Sequence, residues 1–193
     1  MLAGIGAFWL HALLVSFAKN YMKDPFLKNK ISIILGFLFI LSFLPLIFKL
    51  ISLHPNENVY FNPLIGGLKG AKEKNFSGWG TTLGSVYQQG MNWLNKNAED
   101  NANVALVRGL RSNIPRTKIR DDINFSEFYY SAEKKQGEYL MEVTDYFWTL
   151  TIPDDRRKYI ETLQPVFEVK VEDVPILTIW KNDLTNTKPQ YRK

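Results

Sequence analysis

Cysteine is absent from the 193 residues, so disulfides, thiolate nucleophiles and cysteine-based metal sites are excluded, and the redox compartment leaves no trace in the chain. Histidine is nearly absent: His11 and His54 are too few and too far apart for a histidine metal cluster. Charge is scarce at the front, where Lys19, Lys23, Asp24, Lys28, Lys30 and Lys49 are the only charged residues between Leu2 and Leu53. A positive region before the first apolar run is missing too, which argues against a signal peptide; the lysines come after that run.

The formal charge of +5 belongs to this front segment, because residues 54–193 hold 19 basic and 18 acidic side chains. A pI near 9.3 therefore does not point to nucleic acid as a partner.

What is present is long apolar sequence. Ile31 to Leu53 reads ISIILGFLFILSFLPLIFKLISL, about 35 Å of helix at 1.5 Å per residue and enough to cross a bilayer. Pro45 is expected to kink this span and Lys49 to snorkel toward the headgroups. Leu2 to Ala18 sits at the lower length limit for a span, and His11 with the small residues Ala3, Gly4 and Gly6 marks a helix packed against neighbours. Between the two, KNYMKDPFLKNK carries four lysines against one aspartate. By the positive-inside rule, residues 19–30 are cytoplasmic and both termini extracytoplasmic. The lipid bilayer is thus the first expected partner. Met1, followed at once by apolar residues, reads as a chain cut from, or starting inside, a longer polytopic protein.

The expected architecture is a membrane protein with two transmembrane α-helices in a hairpin (1–55), followed by a small extracytoplasmic α/β domain (56–193) with a mixed sheet and a C-terminal β-hairpin. In the second part, Leu83, Val86, Tyr87, Gly90 and Leu94 form the stripe of an amphipathic helix over Thr81 to Asn97. Val104 to Val107 predicts a buried strand. Asn124 with Glu127 at N3, and Gly137 at the far end, predict a second helix, and Tyr139 to Val143 a strand. A short helix is expected from Asp154 or Asp155 to before Pro165. In VFEVKVEDVPILTIWK, Phe167, Val169 and Val171 alternate with polar residues and a turn at Glu172 and Asp173 leads to Ile176 to Trp180, the pattern of a hairpin.

Candidate chemistry is sparse. The basic connection holding Arg108, Arg111, Arg116, Lys118 and Arg120 is either a phosphate contact or a solvated surface. Asp121 with Asp122 and Asp154 with Asp155 suit capping and turns better than a metal, because adjacent side chains rarely converge. Gly66, Gly67 and Gly70 lack the strand and the Lys-Ser/Thr of a phosphate cradle and read as loop flexibility beside the membrane. Tyr60, Phe61 and Trp79 suit anchoring at headgroup level. Asn75 with Ser77 and Asn124 with Ser126 match the glycosylation sequon. No Ser/His/Asp set or separated carboxylate pair identifies an active site.

Three runs carry a resemblance: LHPNENVYFNPLIGGLKGA, FSGWGTTLGSVYQQGMNWLN and PVFEVKVEDVPILTIWK. They resemble the C-terminal part of membrane glycosyltransferases with the GT-C fold, the superfamily of protein O-mannosyltransferases and aminoarabinose transferases (glycosyltransferase family 39-like). The matching positions are His54 and Pro55, which close a membrane helix; Tyr60, Phe61 and Asn62; Gly66 and Gly67; Trp79 and Gly80; and Trp93 to Asn95. Ser77 and Gly78 stand where the family often has Asp-Tyr. The resemblance implies a polyprenyl-phosphate sugar donor, with transfer to an acceptor at the outer membrane face. It also implies that the acidic catalytic residues lie in a first extracytoplasmic loop not found among these residues. The chain is then expected to be inactive alone, its partners being the remaining spans of a polytopic transferase or a membrane partner. The alternative is a self-sufficient two-span anchor with a binding or scaffolding domain.

Overall fold

The computed structural model describes residues 2–21, 23–76, 78–80, 84–108, 113–126, 138–144 and 154–191. It divides into two compact units, Met1–Ser52 and Leu53–Lys193.

The first unit is helical. α1 (Leu2–Tyr21) is followed by α2 (Pro25–Leu41) and α3 (Leu44–Leu53). The expected basic loop is largely helix: α1 runs on past Lys19, and α2 begins at Pro25 because Asp24 accepts the Phe26 N–H at 2.8 Å with proline in the first turn. The break between α2 and α3 at Ser42 and Phe43 has its cause in Pro45, whose ring collides with the carbonyl four residues back, at Leu41, and supplies no N–H to it. Ser42 Oγ instead donates to the Phe39 carbonyl at 2.6 Å. Where α1 meets α2, His11 Nε2 lies 3.4 Å from the Ser32 carbonyl oxygen and beside Gly36. Among the described residues one helical stretch, Lys30–Leu53, is long and apolar enough to cross a membrane by length and composition. Only 6% of its most apolar part is buried, so it is no core helix of this unit.

The second unit is an α/β domain built on a mixed five-stranded sheet in the order β2-β1-β3-β5-β4. Its strands are β1 (Asn103–Arg108), β2 (Asn124–Ser126), β3 (Tyr139–Val143), β4 (Pro165–Val171) and β5 (Val174–Lys181). β1 runs parallel to both β2 and β3, whereas β5 is antiparallel to β3 and β4. The expected strands and the hairpin are in place, with Glu172 and Asp173 at φ 50° and 64° in the two-residue turn, the left-handed pair such a hairpin needs. The helix expected to start at Asn124 does not: Asn124–Ser126 pairs with β1 as an edge strand. Phe125, a β-former, packs on the core there rather than continuing a helical face. The rest of that expected helix, 127–137, lies outside the described residues.

Strand alternation gives the sheet two different faces. α5 (Gly84–Asn97) buries Val86, Tyr87, Gly90, Met91 and Leu94 against a layer that includes Val104, Met141, Leu177 and Ile179. Gly90 allows the close approach, since a Cβ there would stand 2.8 Å from Leu177 Cδ1. On the other face α6 (Asp154–Thr162) brings Ile160, with Leu163 just beyond its end, onto Ala105, Val107, Leu140 and Trp180. The Tyr159 hydroxyl, donating to Asn182 Oδ1 at 2.7 Å, fixes α6 to the end of β5.

Candidate functional site

The described residues between His54 and Trp93 are tied down at several points. His54 is exposed and lies 2.6 Å from Glu57 through Nδ1, and the His54–Pro55 peptide is cis. Tyr60 and Phe61 pack against the core, and Phe61 meets Phe76 edge to face at 6.4 Å. Asn62 accepts the Leu64 N–H at 2.9 Å and so caps the turn that leads into the double glycine.

Gly66 and Gly67 have φ of 93° and 64°, backbone that a side chain disfavours. They turn the chain into α4 (Gly67–Glu73), whose Leu68 N–H donates to Glu172 at 2.5 Å. A Cβ on Gly67 would strike the Glu172 carboxylate, and one on Gly70 the Ile65 carbonyl oxygen. This stretch is therefore a packed join occupied by the protein's own carboxylate, which corrects its reading as a flexible loop. Gly80 likewise admits the Thr144 side chain, whose Cγ2 would lie 2.5 Å from an added Cβ. Trp93 stacks on Phe167 with ring centres 5.3 Å apart and meets Tyr139 edge to face at 6.1 Å, pinning α5 to β4 and β3.

The basic connection after β1 divides in use. Arg120 grips Asp122 with two hydrogen bonds of 2.5 and 2.9 Å. It also donates to the carbonyls of Asn95, Ala98 and Glu99 at the C-terminal end of α5, where a cation complements the helix dipole. That guanidinium, with the Asn101 N–H, holds the Asp122 carboxyl down at about 2. Glu99 is held at about 2 by Lys181 first, then by a backbone N–H and the Tyr139 hydroxyl. Arg120 is thus a structural cation, and Arg111 lies outside the described residues.

Arg108 is different. The register of β1 on β3 slips between Leu106 and Arg108, so that Arg108 pairs with Glu142. The extra residue turns Arg108 onto the α6 face, a common use of a bulge beside a site. Glu142 pairs with Thr178, and Thr178 with Glu168. One row across four strands therefore reads Arg108, Glu142, Thr178, Glu168, lying one row beyond the apolar layer of Leu140 and Trp180. Glu142 Oε1 stands 3.5 Å from both Arg108 Nε and Arg157 Nη2 of α6. Lys170 pairs with Glu168 at 2.7 Å.

This row floors a groove of about 420 Å³, with Trp79 and Thr144 at one side and Trp180 on the floor beneath α6. Lys72 Nζ sits over the Trp79 ring at 5.7 Å. The groove opens where the parallel strands β1 and β3 end. β2 lies on one side of β1 and β3 on the other, so this is the point where strand order reverses, the usual crevice for ligands in open α/β sheets. Of the family-motif positions Trp79 lines the groove, with Gly80 supporting it through Thr144, and Arg108 of the basic connection lines it too. His54, Asn62, the double glycine and Trp93 are not brought together with it. Glu142, Thr178, Glu168 and Arg157 were not singled out by sequence, although a glutamate inside the otherwise apolar strand YLMEV was a usable signal.

Comparisons with known protein families, with curated proteins and with solved structures give no match to this chain.

Proposed function

We propose that the chain is the C-terminal portion of a polyprenyl-phosphate-sugar-dependent membrane glycosyltransferase of GT-C type, anchored by its N-terminal helices and holding the α/β domain on the extracytoplasmic side. The observation that carries this reading is the ordered motif series from His54 to Asn95, set directly after an exposed apolar helix. α1 serves as the second span, its apolar Phe8, Trp9, Leu13 and Phe17 facing outward for lipid. Residues 19–30 face the cytoplasm on this reading. The glycines of the series have packing reasons at Gly67, Gly70 and Gly80, so the series acts as the join between span and domain rather than as chemistry. General-base activation of an acceptor hydroxyl needs a positioned carboxylate, and on this reading the role falls to a first extracytoplasmic loop of the transferase.

Two measurements test the reading. The chain should resist alkaline extraction from membranes, and single cysteines placed in 19–30 should be shielded from an impermeant reagent in intact cells while those near the C-terminus react. Given a polyprenyl-phosphate sugar, the chain alone should transfer nothing; turnover would overturn its assignment to a non-catalytic portion. The second reading, a self-sufficient two-span anchor for a binding domain, is favoured by the groove at the end of β1 and β3. A reading frame beside this one that encodes further spans with an acidic first loop would decide for the transferase.

A further inference from the structure

The groove on the α6 face presents its polar groups in alternation. Arg108 donates, Glu142 accepts, the Thr178 hydroxyl does both and Glu168 accepts, each one strand from the next, about 4.8 Å apart. Arg157 adds a planar donor from above. Arg108 Nε is buried and makes no hydrogen bond, its approach to Glu142 being an ion-pair distance of 3.5 Å. A buried donor of this kind asks for an acceptor.

The chemistry of the lining sorts the ligand classes. The lining mixes the cations Lys72, Arg108, Arg157 and Lys188 with the carboxylates Glu142, Glu161 and Glu168; a phosphate would meet carboxylates at close range as well as cations, and an apolar ligand would strand the charges. A polyhydroxylated ring fits both signs, because every hydroxyl donates and accepts. The indole of Trp79 supplies the apolar wall on which the C–H face of such a ring can rest. The volume of about 420 Å³ lies within the ~300–1,000 Å³ of small-molecule sites. We propose that this groove is a saccharide-binding site, with Arg108, Glu142, Thr178, Glu168 and Arg157 bonding the hydroxyls and Trp79 packing on the ring. The inference stands on the groove alone and holds whichever membrane role the chain has.

The test is saturation-transfer difference NMR on the full chain in phosphatidylcholine nanodiscs, free of glycoside detergent. Methyl α-mannopyranoside, cellobiose and glucuronate serve as probes and inorganic phosphate as competitor. At least one saccharide should receive saturation on its ring protons, and Arg157→Ala and Glu168→Gln should each weaken binding by about tenfold. Both positions are partly exposed, and an unchanged melting curve for either variant keeps the comparison sound. No transfer to any of the three saccharides, transfer unaltered by both substitutions, or displacement by millimolar phosphate would overturn the proposal.

Discussion

Glu172, in the tight turn between β4 and β5, accepts the backbone N–H of Leu68 from 104 residues earlier in the chain, at 2.5 Å. The hairpin and the double-glycine turn therefore hold each other: the glycines clear space for the carboxylate, and the carboxylate satisfies an N–H that the first turn of α4 leaves open.

Glycine substitutions should separate by position. Gly70→Ala should destabilise the domain by about 2 kcal/mol or more, since the new methyl meets a backbone carbonyl that cannot turn aside. Gly90→Ala should also destabilise, through Leu177 and Met141. Gly84→Ala meets nothing within 4 Å and should stabilise by about 0.4–1 kcal/mol. Thermal melting followed by tryptophan fluorescence checks all three, and a neutral Gly70→Ala would refute the packed join.

Trp93→Ala removes a ring stacked on Phe167 and edge-on to Tyr139. The expected loss is about 2–4 kcal/mol, a little under that of a fully buried tryptophan because the ring is partly exposed. Trp93→Phe should recover at least half of it in urea unfolding.

Stability should depend on acid in a defined window. The folded-state values of Asp122 and Glu99 lie at about 2, below their ordinary 3.8 and 4.5. Their stabilisation is thus fully present above about pH 5 and is lost as the pH falls toward 2, where the unfolded chain binds protons first. The melting temperature should drop across that range. Asp122→Asn and Glu99→Gln should each lower the melting temperature at pH 7 and flatten its fall in acid; slopes identical to the parent would contradict the pairings.

Glu142→Ala should cost about 1–2 kcal/mol by leaving Arg108 and Arg157 to face each other, a moderate figure because both guanidiniums are partly solvated. Glu142→Gln should cost less, since it keeps an acceptor. Urea unfolding of the two variants side by side gives the difference, and an Ala variant as stable as the Gln variant would contradict the pairing.

The domain's elements were readable from sequence wherever period and punctuation agreed: the α5 stripe, Tyr139–Val143 and the hairpin with its turn at Glu172 and Asp173. Asn124 misled because a capping residue and a following glutamate make the same local pattern whether or not a helix follows, and pairing with β1 decided for strand. The row from Arg108 to Glu168 could not be read, because it depends on which strands become neighbours and on a register slip. Residues from four strands share no spacing that a linear pattern can carry. Trp79 was noticed for a headgroup role; its place beside the groove follows from Gly80 seating on Thr144, a contact 64 positions away.

The slip between Leu106 and Arg108 sets parity. With side chains alternating at a period of two, Leu106 belongs to the layer beneath α5 and Val107 to the α6 face; in straight register Arg108 would follow Leu106 into that oily layer, and the slip keeps it opposite Glu142 instead. A strand of this kind therefore keeps a charged groove floor either by bulging here or by being one residue shorter, and a related chain that does neither buries its cation.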